Sequence, residues 1–408
     1  MRKDWVEVEL DEICTIQTGK HDANHSVING RYRFYTCAFE YLRCDTKKFE
    51  GECLILPGNG ANVGEVFYYN GEFDAYQRTY VISNINIVPK YLFYFMKGSW
   101  KSKNDDKQYG SATNYIRIGN FTNYQVRIAP LPEQRAIVSK IELLFSELDN
   151  AVSNLKQAKN KLEIFRQSVL KKAFEGELTK GKITWIELGE VCSNVEYGTS
   201  SKSSETGKIP VVRMGNIQNG HIDWNDLVFT SDKEEIEKYS LTKEDVLFNR
   251  TNSPEWVGKT AIYKGERPAI FAGYLIRVNY KKEYVCGDYL NYFLNSHTAK
   301  QHGNKVKSFG VNQSNINGTK LKKYPFPLCS LKEQIQIVQE IETRFSVADK
   351  LVVSIDESLL KAEALRQSIL KKAFEGELLS SSELVACRKE SDWEPAEKLL
   401  ERIKKERK

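Results

Sequence analysis

Residues 166–178 read RQSVLKKAFEGEL, and residues 366–378 read RQSILKKAFEGEL. The two stretches lie 200 positions apart and differ at one residue, Val169 against Ile369. A repeat with so long a period indicates a duplicated section of the chain rather than a solenoid of short repeats. The fold is therefore expected to contain one structural plan twice.

The duplication extends upstream of this motif. The segment LPEQRAIVSKIELLFSELDNAV (131–152) aligns at the same separation with LKEQIQIVQEIETRFSVADKLV (331–352). In both copies apolar residues recur at the alternating spacing that is typical of a coiled-coil seam, although Lys159 and Arg166 interrupt the first copy. The seam residues are Ile141, Phe145, Leu148, Val152, Leu155, Leu162, Val169 and Ala173 in the first copy, and Ile341, Phe345, Ala348, Val352, Ile355, Leu359, Ala362, Ile369 and Ala373 in the second.

Both repeated segments carry signals for helix ends. Pro132 marks one start, a capping box from Ser330 to Glu333 marks the other, and Gly176 and Gly376 stand where C-terminal stops belong. Each helix should run for about 42 residues, or roughly 60 Å. The helices could pack only on their own domains, but this length exceeds the diameter of about 30–35 Å of such a domain. Antiparallel pairing is therefore favoured, with an approximate twofold axis and the domains at opposite ends of a rod.

The openings of the two halves also match. WVEVELDEIC begins at Trp5 and WIELGEVC begins at Trp185, and pairing these two residues leaves Cys14 two positions out of register with Cys192. The predicted order is variable domain, helix, variable domain, helix. The expected boundaries are 1–130, 131–181, 182–329 and 330–380 for these four parts, and 381–408 for a polar linker, expected to be flexible, with a terminal helix.

The two globular parts are predicted to mix strands and helices, which makes the whole chain an α+β protein. Short apolar runs separated by Gly and Asn indicate strands, and helices are expected near 91–100 and 288–301. The predicted strands lie in ECLILPG, EVFYYNG and TYVIS in the first half, and in IPVVRMG, DVLFNR, TAIYKG and YLIRVNY in the second.

A basic segment rich in Asn and Gly precedes each long helix. It spans 101–120 in the first half and 300–323 in the second, where it holds six Lys and no acidic residue. Such a segment is either a solvated loop or a phosphate-contacting surface whose Asn and Gln can read base edges. The formal net charge of +6 is compatible with a nucleic-acid partner without requiring one.

Composition and motifs exclude several other classes. No apolar run is long enough to span a membrane and no signal peptide is evident, so we expect a cytoplasmic protein whose eight Cys are reduced and mostly buried. The glycines of 57–64 lack the spacing of a phosphate-binding loop, and the histidines form no HExxH motif, so no metal site is expected. SPEW (253–256) is only superficially similar to the motif of amino-methyltransferases. A degenerate nuclease motif is not excluded by pattern alone.

The order of variable domain, PLPEQRAIV…RQSVLKKAFEGEL, variable domain, SLKEQIQIV…RQSILKKAFEGEL resembles the specificity (S) subunit of type I restriction-modification enzymes, the HsdS family. The terminal EPAEKLLERIKKERK and the run DVLFNRTN…VGKTAIYKG are also similar to that family. The resemblance covers essentially the whole chain.

This resemblance implies a non-catalytic, DNA-binding subunit. Each target-recognition domain would read one half of a bipartite, asymmetric target in double-stranded DNA, and the paired helices would set the spacing and dock two methyltransferase (M) subunits. Two restriction (R) subunits would complete the complex. S-adenosylmethionine would belong to the M subunits, and ATP and magnesium to the R subunits, with no cofactor in this chain. The target sequence itself is not predicted.

Candidate residues follow from the repeated motif and the polar loops. Arg suits guanine, Asn and Gln suit adenine, and Lys more often meets phosphate. The predicted DNA-binding residues are Arg78, Lys107, Asn114, Arg117, Arg213, Asn216, Arg250, Asn252, Lys305, Lys307, Asn312 and Gln313. The residues predicted to dock M subunits or pair the helices are Gln134, Arg166, Lys171, Lys172, Phe174, Glu175, Gln334, Arg366, Lys371, Lys372, Phe374 and Glu375. The alternatives are a coiled-coil adaptor that does not bind DNA, and the remnant of a single-chain restriction enzyme.

Overall fold

The structure is a computed structural model that describes residues 2–105, 109, 114–179, 181–309 and 313–407. It divides into two compact units. The first unit comprises Met1–Leu155 and Glu357–Lys408, and the second comprises Lys156–Asp356. Each unit therefore contains one globular half together with part of each repeated helical segment.

The two repeated segments form the long helices that the sequence predicts. The first long helix spans Leu131–Phe174, 44 residues, and the second spans Leu331–Glu375, 45 residues. Every predicted seam residue is buried or half-buried in its unit, which confirms the coiled-coil pattern. The interior of the seam, rather than helix propensity, supplies most of the stability of such helices.

In the second unit the two long helices pack antiparallel. Arg166 Nη2 lies 2.5 Å from Asp349 Oδ1, and Lys159 Nζ lies 2.6 Å from Asp356 Oδ1. Residue numbers therefore rise along the first helix as they fall along the second, so the two helices run in opposite directions. The two polar residues that interrupt the first seam are thus paired with carboxylates of the other helix.

The first unit repeats this arrangement with its own parts of the helices. Arg366 is paired with Asp149, and its guanidinium lies 5.1 Å from the Phe145 ring centroid. Each unit therefore contains an antiparallel helix pair. The alternative in which each long helix packs only against the domain that precedes it is wrong.

The ends of the long helices follow the predicted signals except for one half of the capping box. Glu333 N donates to Ser330 Oγ at 3.4 Å, while the Glu333 carboxylate accepts from Thr179 Oγ1 instead of closing the predicted capping box. Gly176 and Gly376 both adopt a φ of 82°, a left-handed conformation that ends a helix and favours glycine.

The globular part of the first unit is built from three sheets. Four antiparallel strands form the central sheet, three strands form a mixed sheet, and the opening strand pairs with the strand before the first long helix. In sheet order these are Thr15–Thr18, Thr79–Ser83, Glu52–Pro57 and Phe67–Asn70; then Leu42–Cys44, Tyr32–Tyr35 and Phe73–Ala75; then Val6–Glu9 and Gln125–Ile128.

The second unit has the same three sheets in the same order, with additional small ones. This common topology confirms the duplication in the parts where the sequences differ most. In sheet order the shared strands are Cys192–Tyr197, Leu275–Tyr280, Val246–Asn249 and Thr260–Ile262; then Val228–Thr230, Ile209–Val212 and Ile270–Phe271; then Thr184–Glu187 and Pro325–Leu328. The additional strands are Ile217–Gln218 with His221–Ile222, and Thr251–Asn252, Ser314–Asn315 and Ser308–Phe309.

Short helices complete each unit. The helical stretch predicted at 288–301 is two helices, because the Ser296 side chain caps a new helix by accepting from Ala299 N. The first unit has α-helices Pro89–Asn104, Ile118–Thr122, Ser381–Arg388 and Ala396–Glu406 and 3₁₀-helices Leu10–Glu12 and Ala23–His25. The second has α-helices Leu188–Val191, Lys233–Tyr239, Gly287–Leu294, His297–Val306 and Gly318–Lys322 and 3₁₀-helix Met214–Asn216.

Pairing Trp5 with Trp185 gives the wrong register for the two openings. Leu10 N donates to Tyr124 O, and Leu188 N donates to Tyr324 O in the equivalent position of the second unit. Leu10 therefore corresponds to Leu188, and Cys14 then falls directly in register with Cys192. Trp5 is 4% exposed whereas Trp185 is 47% exposed, so the two tryptophans occupy different environments.

The segment after the second long helix is not the flexible link expected from its polar composition. Residues Ser381–Arg388 form a helix whose N-cap, Ser380, exchanges hydrogen bonds with Glu383. Cys387 is buried in the core of the first unit together with Leu399 and Ile403 of the terminal helix. The apolar residues of this segment are few, and Ala396 is buried with these three in the same core.

An aromatic contact joins each globular part to the end of a long helix. In the first unit the Phe374 ring centroid lies 5.3 Å from Tyr91 and 5.1 Å from Phe95. In the second unit Phe174 lies 5.2 Å from Tyr289 and 5.3 Å from Phe293. The two phenylalanines of the repeated motif thus fill equivalent positions in the two cores.

The eight Cys are all free and six are buried, as predicted. Burial raises the pKa of both the Cys14 and Cys192 thiols to about 12. These two thiols are therefore protonated and unreactive at neutral pH.

Replacing Gly376 with Ala should destabilise the first unit by about 1–2 kcal/mol, because a residue with a Cβ is strained in the left-handed conformation. Gly119→Ala is a matched control, since Gly119 lies in a helix with open space around it. Denaturant unfolding of both variants measures the difference. Equal stability of the two variants would show that the positive φ at Gly376 is not required.

Candidate nucleic-acid and subunit interfaces

Backbone hydrogen bonds gather several predicted DNA-binding residues around one glycine-rich turn of the first unit. Gly58 N donates to Arg78 O at 2.9 Å, and Gly60 N donates to Asn114 O at 2.8 Å. Ile116 N donates back to Gly58 O at 3.0 Å. The side chains of Arg78 and Asn114 are exposed beside this turn. We call the exposed residues Arg78, Asn114 and Arg117 with the turn 57–60 the first loop cluster.

Arg117 is the third side chain of this cluster. Its Nη2 donates to Tyr115 OH at 2.9 Å, and its guanidinium lies 4.3 Å from the Tyr109 ring centroid. The hydrogen bond to Tyr115 raises the pKa of Arg117. The charge is thus held next to aromatic rings while remaining exposed to solvent, which suits contact with a polyanion.

Arg250 occupies the equivalent position in the second unit. Its N donates to Tyr274 O at 3.0 Å, and Ile316 N donates to its carbonyl at 2.8 Å. Gly58 makes the corresponding two bonds in the first unit, so the same backbone carries Gly58 there and Arg250 here. A Cβ at Gly58 would lie 2.2 Å from a backbone oxygen, which explains the glycine.

The Arg250 side chain is held but not neutralised. Its guanidinium lies 4.8 Å from the Tyr197 ring centroid, and Nη1 donates to Gly273 O at 3.3 Å. Neither of these two groups carries a negative charge. It therefore presents a positive charge at the end of the inner strand Val246–Asn249.

Strand pairing and a hydrogen bond bring three further predicted residues near Arg250. Asn252 pairs with Ser314, which directly follows the exposed Gln313. Lys307 Nζ donates to Pro254 O at 3.0 Å, which joins the basic segment to the same loop. The second loop cluster comprises Arg250, Asn252, Lys307 and Gln313. Lys305 is exposed at the end of the adjoining helix His297–Val306.

Asn216 and Arg213, which are also predicted to bind DNA, differ from the residues above because both make polar contacts within the second unit. Asn216 is 3% exposed, its Nδ2 donates to Asp223 O and Asn225 O, and its Oδ1 accepts from Arg213 N. The Arg213 guanidinium is paired with Asp226 at 3.2 Å. Asn216 therefore shapes a turn from inside the unit, and only Arg213 reaches the surface. Lys107 and Asn312, also predicted to bind DNA, lie outside the described residues.

Exposed aromatic residues that were not predicted from the sequence lie beside the second loop cluster. Trp256 is 50% exposed, Tyr274 is 52% exposed, and Lys259 Nζ lies 4.0 Å from the Trp256 ring centroid. Aromatic faces and basic groups together suit nucleic-acid contact. Their position inside loops rich in Gly, Asn and Ser was the signal in the sequence that could have identified these aromatic residues.

The repeated motif separates into an exposed and a buried set. The exposed set has the same three positions in each copy, all carrying charge, and we call these positions the docking faces. They are Lys171, Lys172 and Glu175 in the second unit, and Lys371, Lys372 and Glu375 in the first.

The glutamines of the motif are buried. Gln134 Nε2 donates to Ala129 O at 2.7 Å and its Oε1 accepts from Val88 N at 2.9 Å. Gln334 makes the equivalent bonds with Cys329 O and Cys286 N. Each glutamine thus fastens the start of a long helix to the loop before a domain helix.

The remaining predicted residues of the motif act within the units. Phe174 is 1% exposed and Phe374 is 7% exposed, each among the aromatic side chains described above. Arg166 and Arg366 join the two long helices through their carboxylate partners. These contacts favour a role in core packing for Phe174 and Phe374. They favour a role in helix pairing for Arg166 and Arg366.

A groove of about 360 Å³ lies beside the docking face of the first unit. It lies along the junction of helix Pro89–Asn104 with the last turns of the second long helix. Both apolar and charged groups line it. The lining residues are Phe95, Gly98, Ser99, Lys103, Arg127, Gln367, Leu370, Lys371, Phe374 and Glu375.

One group of side chains has the composition of a metal site, which the sequence analysis did not expect. The ligand atoms of His21, His25 and Asp74 lie within 4.8 Å of one another in the first unit. The two histidines are four residues apart, a spacing that was not noticed in the sequence.

No helix in the described part of the chain is long and apolar enough to cross a membrane.

Comparison with known families gives one clear match. Residues 2–163 and 182–351 both match the family model described as "Type I restriction modification DNA specificity domain". The two matched segments cover most of the chain and coincide with the two copies of the duplication.

Named proteins of this kind are similar along much of their length. The type I restriction enzyme EcoDI specificity subunit of Escherichia coli is 29% identical, over 99% of this chain and 95% of that protein. The EcoKI specificity subunit of E. coli strain K12 is 30% identical, over 79% of this chain and 72% of that protein.

Solved structures share the fold. A chain from work on complex assembly and conformational transition of the type I R-M system has a TM-score of 0.72 at 18% identity, covering 93% of this chain and 99% of that one. The HsdS subunit from Thermoanaerobacter tengcongensis has a TM-score of 0.51 at 19% identity, covering 93% of this chain and 98% of that one.

Replacing Asn216 with Ala should lower the free energy of unfolding by roughly 2–3 kcal/mol, because buried backbone groups lose their hydrogen-bond partners. Denaturant unfolding, followed through the transition of the second unit, measures this loss. Gln313→Ala is the control, since Gln313 is exposed and should leave stability unchanged. A stable Asn216→Ala variant would show that the buried turn does not depend on this amide.

Proposed function

The chain belongs to the type I restriction-modification DNA specificity family, and on that premise we propose that each unit reads one half of a bipartite, asymmetric DNA target. The protein is a non-catalytic specificity subunit and carries no cofactor of its own. Its partners are DNA and the methyltransferase and restriction subunits of the type I system. We place the complex in the cytoplasm, where its DNA target lies.

The equivalence of the two loop clusters carries the proposal for DNA reading. Gly58 and Arg250 make the same backbone hydrogen bonds in the two units, yet they differ completely in side chain. A conserved backbone with unlike side chains is what two readers of unlike half-sites require. The overall target is then asymmetric because the chain carries two different readers.

The side chains supply the expected recognition chemistry. A guanidinium can donate two hydrogen bonds to guanine, and an amide can pair with adenine in the same bidentate way. Arg117 and Asn114 provide these groups in the first cluster, and Arg250 and Asn252 provide them in the second. Lys305 and Lys307 suit phosphate contacts, which position a protein on DNA without reading its sequence.

Removing one charged reader should weaken binding to the correct half-site. In the assembled complex with M subunits, Arg117→Ala and Arg250→Ala should each reduce affinity for the natural target by about 5- to 150-fold, corresponding to 1–3 kcal/mol. Competition binding with duplexes altered in one half-site at a time measures the effect. Each variant should lose discrimination in one half-site only.

Arg402→Ala is the matched control, because Arg402 of the terminal helix is also an exposed arginine but is paired with Glu394, which precedes that helix. Affinity of the unmodified complex should also fall steeply with rising salt. An affinity that depends on neither the DNA sequence nor the salt concentration would instead support the alternative of a coiled-coil adaptor.

We further propose that the docking faces hold M subunits. The same charged residues stand at the same positions in both copies, exposed at the end of each long helix. Two identical surfaces suit two identical partners, and hence two M subunits and, in the full complex, two R subunits. Because each long helix is one continuous element, the helices would also fix the spacing between half-sites.

Charge reversal in one docking face should remove one partner. The double variant Lys371→Glu with Lys372→Glu should yield a complex with one M subunit, and adding Lys171→Glu with Lys172→Glu should abolish M binding. Native mass spectrometry measures the stoichiometry directly. Lys398→Glu, an exposed charge reversal in the terminal helix, should leave two M subunits bound. Full binding by the quadruple variant would rule out these docking faces.

A further inference from the structure

Three segments of the first unit meet at a cluster of imidazole and carboxylate groups. His21 lies beside Tyr76, His25 ends a 3₁₀-helix, and Asp74 lies in the strand Phe73–Ala75. The rings of His21 and His25 stack with their centroids 3.7 Å apart and their planes 6° apart.

The carboxylate of this cluster is buried with little charge compensation. Asp74 is 1% exposed, its Oδ1 accepts from Ala75 N at 2.8 Å, and its Oδ2 accepts from Thr46 Oγ1 at 2.7 Å. Within the described part of the chain its one ion-pair partner is His21, whose Nε2 lies 3.5 Å away. Burying a carboxylate without a counter-charge is costly.

The nearby lysine does not meet this requirement. Lys48 is close enough to interact electrostatically with Asp74, but its Nζ donates to Thr18 O at 2.6 Å. A cation bound between the histidines and Asp74 would balance the buried charge directly.

We propose that His21, His25 and Asp74 form a binding site for a divalent transition-metal ion of the zinc class. Two imidazole nitrogens and one carboxylate oxygen are a donor set that Zn²⁺ accepts, with water completing a tetrahedron. Such ligands lie about 3.3 Å apart around a zinc ion. The observed atoms lie within 4.8 Å of one another, so small side-chain rotations bring them into range.

The hydrogen bonds around the cluster indicate which side chain moves. His25 Nε2 lies 2.7 Å from Thr46 Oγ1, which itself donates to Asp74. The threonine hydroxyl thus bridges two of the proposed ligands, and metal binding would displace it. The site is open to solvent on one side, because the His21 side chain is 38% exposed, and an ion can therefore enter.

The proposed role is structural. The ion would fasten the segment 21–25 to the strand Phe73–Ala75, which forms the three-stranded sheet with Tyr32–Tyr35. Both elements belong to the first globular part, and the second unit has Thr199 where the first has His21 in the equivalent bridge to a strand end. The metal site is therefore specific to one of the two domains.

Zinc titration of the metal-free full-length chain, prepared without a polyhistidine tag, tests the proposal. Isothermal calorimetry should show one zinc ion per chain, and zinc at about 100 times its Kd should raise the melting temperature by roughly 5–10 °C. His21→Gln and His25→Gln should each abolish both effects. His297→Gln, an exposed histidine in the second unit, should bind zinc normally.

Two further measurements separate a metal site from a hydrogen-bond network. Thr46→Val removes the hydroxyl bridge but keeps all three ligands, so it should bind zinc as tightly as the unaltered chain or more tightly. Co²⁺ loading should give visible absorption bands that His21→Gln removes, without a thiolate charge-transfer band. Circular dichroism confirms that each variant is folded. Absence of zinc binding to the folded full-length chain, or binding that survives both histidine substitutions, would overturn the proposal.

Discussion

The insertion of one phenylalanine into each globular core is the contact on which the structure most depends. Phe374 packs among Tyr91 and Phe95, and Phe174 packs among the equivalent aromatic residues of the second unit. Truncating a buried phenylalanine typically costs about 3–5 kcal/mol, whereas the half-exposed ion pairs between the long helices are each worth up to about 1 kcal/mol. Packing at the helix ends, rather than surface charge, therefore holds each domain on its helix pair.

This packing gives the duplicated motif an internal reason as well as an external one. Each globular core is completed by the end of the long helix that does not directly follow it, because Phe374 enters the core built by residues before the first long helix. Both copies must therefore keep the same apolar residues for folding alone. The exposed charges at neighbouring positions make only solvent-exposed ion pairs, such as Lys171 with Glu175, and the proposed shared partner would account for their identity.

The sequence predicted the long helices, the duplication and seven of the strands, because regular apolar spacing and glycine stops are local signals. It failed where burial or pairing is decided by distant residues. Trp5 was matched to Trp185 by residue type, although strand pairing makes Leu10 the counterpart of Leu188. The terminal polar segment looked flexible because only a few residues, such as Cys387, anchor it. Residue chemistry likewise suggested a DNA role for Asn216 but did not reveal its burial.

The central claim is that two independent readers share one chain. It is tested most directly by replacing residues 1–130 with the corresponding domain of another family member and mapping methylated bases by single-molecule sequencing in cells that supply the M subunits. The account predicts that one half of the methylated motif changes, while the other half stays the same. A change in both halves, or methylation of a continuous motif, would contradict it.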